Sequence, residues 1–77
     1  MRVRLTFPSE LVQKPLIYHL VKDFDIVTNI RRAVVKADHG WVILELEAKE
    51  ETLERGIAWL KGKGVKVDPV ERDVIVP

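Results

Sequence analysis

The apolar residues of this chain switch between two periods, and the order of the switches leaves few folds open. From Arg2 to Phe7 they alternate, with Val3, Leu5 and Phe7 on one parity and Arg2, Arg4 and Thr6 on the other. A period of two marks a strand with one dry face and one wet face. Pro8-Ser9-Glu10 breaks the pattern. Leu16, Leu20 and Phe24 then recur every four residues, and Ile17 and Val21 widen the stripe, which predicts a helix. Pro15 suits its first turn, where a missing N–H removes no intrahelical bond. Leu11 and Val12 leave the start of that helix open.

The second half repeats the alternation of periods. Ile26 to Asp38 is rich in β-branched residues (Ile26, Val27, Thr28, Ile30, Val34, Val35) and reads as a long strand with a bulge near Arg31-Arg32. Asp38-His39-Gly40 is turn chemistry. Trp41 to Ala48 returns as a strand, with Val42, Leu44, Leu46 and Ala48 on one parity and Trp41, Ile43, Glu45 and Glu47 on the other. Glu50 to Lys61 reads as a helix, acidic at its start and basic at its end, with Leu53, Ile57 and Leu60 as its core stripe. Gly56 in mid-helix costs about 1 kcal/mol relative to Ala, which predicts close packing of this helix against the sheet. Lys61-Gly62-Lys63-Gly64 stops the helix. Val65, Val67 and Pro69 alternate with Lys66 and Asp68 as a fourth strand, with Pro69 near an end or edge.

The order is βαββαβ. It predicts an α+β, ferredoxin-like sandwich: a four-stranded antiparallel sheet with two helices on one face. Residues 1–77 form a single domain in this reading, with its core at about 3–70 and 71–77 as a tail. Val74-Ile75-Val76 is either a short fifth strand or an extended end. The first and third strands are expected side by side at the centre, with Arg2 and Arg4 opposite Glu47 and Glu45, and Thr6 opposite Ile43. The helix-free face then presents Arg4, Thr6, Trp41 and Ile43 as a candidate dimer or ligand surface. Trp41 has a second reading, tucked against the hairpin turn or the neighbouring strand.

Composition narrows the function classes. A formal net charge of +1 gives no field that marks nucleic acid as a partner. The 47% hydrophobic and 32% charged fractions are those of a soluble globular domain. No apolar run approaches the ~20 residues of a membrane span, and Met-Arg-Val-Arg-Leu lacks a signal-peptide core. A cytoplasmic location without direct membrane insertion is therefore expected. The absence of cysteine excludes disulfides, thiol catalysis and any iron–sulfur cluster held by the chain itself. His19 and His39 stand alone, without metal-ligand spacing. The run Glu45, Glu47, Glu50, Glu51 and Glu54 fits a solvated strand and helix start better than a desolvated acid/base pair. Ser9 has no visible base, and the Lys-Gly-Lys-Gly segment lacks a phosphate-cradling pattern. No enzyme, no metal and no cofactor are expected. An RNA-recognition module shares the element order, but Phe7 has core parity and the third strand lacks the basic, aromatic-rich signature. At seventy-seven residues a single core supplies only ~3–5 kcal/mol, so self-association is expected.

An ordered set of short segments resembles the NIL domain. These are Arg4-Leu5-Thr6-Phe7, Pro15-Leu16-Ile17 with Leu20 and Phe24, Asn29-Ile30, Gly40, Ile57-Ala58-Trp59-Leu60 and Gly64-Val65-Lys66-Val67-Asp68. The resemblance runs from about Val3 to Val70. NIL domains are small ferredoxin-like, ACT-like modules at the C-terminus of methionine-import ABC transporter ATPases; similar domains occur fused to ferredoxins or alone. Two positions depart from the family pattern. Arg31 replaces the Leu of the Asn-Ile-Leu element, and Ala48 stands where Gly is usual. The resemblance implies a homodimer that binds methionine near its interface. It assigns Asn29, with Ile30 and Arg31, to that ligand, since an amide both donates and accepts. The other reading of Asn29 is an amide that satisfies backbone groups at the bulge. Two functions follow. One is a stand-alone regulatory module sensing methionine or a related sulfur amino acid. The other is an interaction module acting with a separate ferredoxin, transporter or sulfur-metabolism partner. The length is expected to leave no room for an attached ATPase or ferredoxin domain.

Overall fold

Alternation at the start of the chain becomes β1 (Arg2–Phe7), whose Val3, Leu5 and Phe7 are all buried. In the computed structural model, which describes residues 1–70, five elements follow: α1 (Leu16–Phe24), β2 (Val27–Val35), β3 (Gly40–Glu47), α2 (Glu50–Lys63) and β4 (Lys66–Pro69). The sheet order is β2-β3-β1-β4, antiparallel at every pairing. The buried parities of β1 and β3 meet Leu16 and Leu20 of α1 and Leu60 of α2 in one core. This is the ferredoxin-like sandwich, with its other sheet face left bare by the described residues.

Parity was legible in the sequence and register was not. β1 pairs with β3 as Arg2↔Glu45, Arg4↔Ile43 and Thr6↔Trp41, two residues away from the expected pairing. Registers that differ by two place the same side chains on the same faces, so alternation alone cannot choose between them. The observed register uses all of β1, from Phe7↔Gly40 to Arg2↔Glu45. Beyond it, Met1 and Leu46 exchange N–H···O bonds of 2.9 and 2.7 Å.

The expected bulge lies between Ile30 and Arg32. Arg31 is the extra residue, and it resets which face each later side chain takes. Before it, Ile30 pairs with buried Leu44; after it, Arg32 pairs with Ile43 and Ala33 with buried Val42. Arg32 and Val34 thereby join the bare face, while Ala33 and Val35 turn to the helix side.

The helix layer departs from expectation at two places. Asp25 ends α1 in the left-handed region, with φ 55°, and the chain drops so that Ile26 is 1% exposed in the core. Ile26 therefore precedes β2. In α2, Leu60 and Leu53 take their expected core positions, Gly56 is buried, and Ile57 lies outside the core cluster, against which Trp59 packs instead. A Cβ on Gly56 would stand 2.7 Å from Ile26 Cδ1 and 3.0 Å from Leu20 Cδ1. The close approach is thus to α1 and Ile26, not to the sheet. Gly64, with φ 102°, ends α2 where a left-handed residue is required, and its N–H and that of Val65 bond back to Lys61 and Leu60. Val74-Ile75-Val76, and with it the extent of the domain beyond Val70, lies outside the described residues.

Gly56→Val is expected to destabilise the fold by about 1–3 kcal/mol, because it overpacks two buried methyl groups while improving helix propensity. Urea denaturation measures this. A gain in stability would show that α1 and α2 have room to separate.

Candidate functional site

β2 is an edge strand, and it places Asn29, Ile30 and Arg31 in solvent. No described strand pairs with its outer side. Three of its apolar residues are more than half exposed: Val27 at 61%, Ile30 at 57% and Val35 at 68%. Asn29 sits on the bare face opposite Glu45, in regular pairing. Its amide makes no hydrogen bond to another described residue, so it does not satisfy backbone groups at the bulge. Arg31 occupies the bulge itself, between the paired residues Ile30 and Arg32. These three residues lie on an edge, and none of them lines the cleft between the sheet and the start of α1.

The cavity is elsewhere. Residues 8–15 wrap around the hairpin end of the sheet, with the N–H groups of Leu11 and Val12 bonding Pro8 O at 2.9 and 3.1 Å. This turn delivers Val12 beside Gly40, where an added Cβ would meet Val12 Cγ2 at 3.2 Å. Between it, the start of α1 and the sheet lies a cleft of ≈ 160 Å³, lined mainly by Phe7, Val12, Leu16, Ile17, Val35 and Val42. Lys14 and Tyr18 bring polar groups to the same cleft. Pro15 stands at the head of α1, and no side chain caps that helix. Of these residues only Val35 belongs to the strand that carries Asn29. Asn29 and Val35 pair with Glu45 and Gly40, so they stand about 17 Å apart along the sheet. The broken pattern at Leu11-Val12 was the one sequence signal for this cleft. It could not be recognised there, because the cleft walls come from three separated segments.

The four residues expected on the bare face are there. Arg4, Thr6, Trp41 and Ile43 form two adjacent cross-strand pairs. The Arg4 guanidinium lies 4.5 Å from the centre of the half-buried Trp41 ring, close enough for cation–π attraction. Trp41 is therefore part of the sheet face. At the other end of β1, Glu45 receives the Met1 ammonium at 3.0 Å and Arg2 at 3.0 Å. The hydrogen bond from the ammonium, aided by both positive charges and opposed by partial desolvation, holds the Glu45 carboxyl below the usual range. The histidines have single acidic neighbours: His39 Nδ1 lies 2.8 Å from Asp38 and His19 Nδ1 3.4 Å from Asp23. Among the described residues no three His, Cys, Asp or Glu side chains come close enough to hold a metal.

Because folding lowers the Glu45 pKa, its contribution to stability is complete above the ordinary carboxylate range and disappears as pH falls through the depressed value. Urea midpoints measured down the acid limb are expected to fall more steeply in wild type than in Glu45→Gln. Superimposable limbs would show that the ammonium cluster adds nothing.

The NIL domain family model matches residues 1–69. Among solved structures, the C-terminal domain of an ABC transporter ATP-binding protein from Enterococcus faecalis superimposes with a TM-score of 0.78 at 22% identity. That alignment covers 94% of this chain and 84% of the other. No curated protein sequence matches. Among the described residues no helix is long and apolar enough to cross a membrane.

Proposed function

The chain belongs to the NIL domain family, and we propose that it is a non-enzymatic, cytoplasmic regulatory module. In this reading it works as a homodimer and senses methionine or a related sulfur amino acid. The observation that carries the proposal is β2: a long, apolar edge strand with a cleft at one end and Asn29 at the other. Such an edge is a template for a further strand. Two copies related by a two-fold axis present β2 to β2 antiparallel. That pairing sets the first half of one β2 against the second half of its partner. Ile30 of one protomer, which shares the helix-side parity, then approaches the cleft beside Val35 of the other, while Asn29 stands at the dimer seam on the bare face. An unbranched apolar side chain suits the cleft. Lys14 beside the cleft offers a cation for an amino acid's carboxylate, and the Asn29 amide offers a donor and an acceptor at the seam on the other face. Burial of Ile30 and Val35 stabilises the dimer that the small core calls for.

The bare sheet face favours a second role alongside this one, as an interaction module for a separate ferredoxin, transporter or sulfur-metabolism protein. Likeness to a transporter ATPase domain supports the transporter branch of that reading. A chain without cysteine leaves any cluster to the partner.

Light scattering is expected to give a dimer for wild type and a monomer for Ile30→Asp/Val35→Asp, since paired edges cannot bury two carboxylates cheaply. Calorimetry with methionine, homocysteine and cysteine is expected to show binding that Lys14→Ala weakens by about tenfold, the loss of one good hydrogen bond to a charged group, and that Asn29→Ala weakens less, through the dimer seam alone. A monomeric wild type would remove the shared site, and no heat at millimolar amino acid would remove the ligand.

A further inference from the structure

The bare face of the sheet is divided by charge, and the division is set by the bulge. Its side chains form cross-strand rows. One row reads Arg2, Glu45, Asn29; the next Asp68, Arg4, Ile43, Arg32; the third Lys66, Thr6, Trp41, Val34. At this end of the face charge is balanced locally, because Glu45 and the neighbouring Glu47 offset Arg2 and the Met1 ammonium, the last two held on Glu45. The other two rows carry three cations and one acid. That acid, Asp68, lies 3.9 Å from Lys66. No carboxylate among the described residues forms an ion pair with Arg4 or Arg32. The two arginines flank Ile43 from either side, two strand spacings apart, or about 10 Å. Between and beside them, Val34, Trp41 and Ile43 form a contiguous, half-buried apolar strip. Arg32 and Val34 reach this face only because Arg31 bulges.

We propose that this half of the open face docks an acidic segment of another protein, with carboxylates engaging Arg4 and Arg32 and an apolar side chain resting on Trp41 and Ile43. Charge complementarity selects the occupant. Apolar contact alone would suit many partners, but two guanidinia framing an aliphatic side chain require anions on both sides of an apolar anchor. A second copy of this chain is disfavoured near a two-fold axis, since Arg4 and Arg32 would meet their own equivalents. A nucleic-acid strand finds one aromatic here, where base-stacking sheets use several. The proposal is independent of pairing through β2, which uses the strand's edge and not its face.

The test uses the whole chain labelled with ¹⁵N. It is titrated separately with a short glutamate-rich peptide bearing a central leucine, a lysine-rich peptide of the same length, and oligo(dT). The acidic peptide is expected to shift the Trp41 indole and the Arg4, Arg32 and Ile43 amides while leaving the Trp59 indole in place. Arg4→Glu/Arg32→Glu is expected to weaken binding by about tenfold or more, with circular dichroism and light scattering unchanged, and added salt is expected to weaken wild type in parallel. Arg4→Lys/Arg32→Lys should retain part of the affinity, since it keeps the charge and loses the fork. Absence of shifts at millimolar acidic peptide, equal shifts with the lysine peptide, or tighter binding of oligo(dT) would each overturn the proposal.

Discussion

The antiparallel ladder between β1 and β3 is the constraint on which the rest of the molecule depends. It sets Val3, Leu5 and Phe7 in register with Leu44, Val42 and Gly40 and so concentrates the buried side chains on one face at the centre of the sheet. That face must be covered, and α1 and α2 cover it with Leu16, Leu20 and Leu60. The same pairing forces Arg4, Thr6, Trp41 and Ile43 together on the opposite face, because side chains alternate without exception along a regular strand. It also leaves β2 and β4 as edges. Both candidate surfaces are consequences of this one ladder.

The two edges are unlike, and the difference bears on function. β4 is four residues long, with Lys66 exposed and Pro69 at its end; short length, a lysine and a proline all discourage further pairing. β2 is nine residues long with valine and isoleucine in solvent. Its bulge adds local twist but leaves apolar residues on both sides of Arg31. An edge of that kind has none of the devices that discourage pairing, apart from its bulge. The cleft at its end has a separate origin. α1 is only nine residues long and begins at Leu16, so residues 8–15 must close the layer with turns, and turns pack less completely than a helix would.

Gly56 shows how the helix layer is adjusted to this plan. Its missing side chain admits Ile26 and Leu20, which lets the chain leave α1 at Asp25 and drop directly into the core before rising into β2. Helix propensity is given up at one position, and a fully buried isoleucine is gained. The adjacent contact of Phe24 with Trp59, ring centres 5.6 Å apart, seals the same junction from the side.

Sequence periodicity by itself determined the elements, their order, the buried parity of β1 and β3, a bulge near Arg31-Arg32 and the bare-face residues of β1 and β3, because each depends on residues close together in the chain. The bare-face residues of β2 came only with its register. The short segments around Phe7, Asn29, Trp59 and Val67 also carried the family resemblance. Tertiary structure alone decided the β1–β3 register, which parity leaves degenerate in steps of two. It likewise decided that Gly56 faces Ile26 and Leu20, that Asn29 and the cleft lie at opposite ends of β2, and that Arg4 and Arg32 flank Ile43. Each of these is a meeting of segments distant in sequence, where the geometry of packing, and no local preference, selects the neighbour.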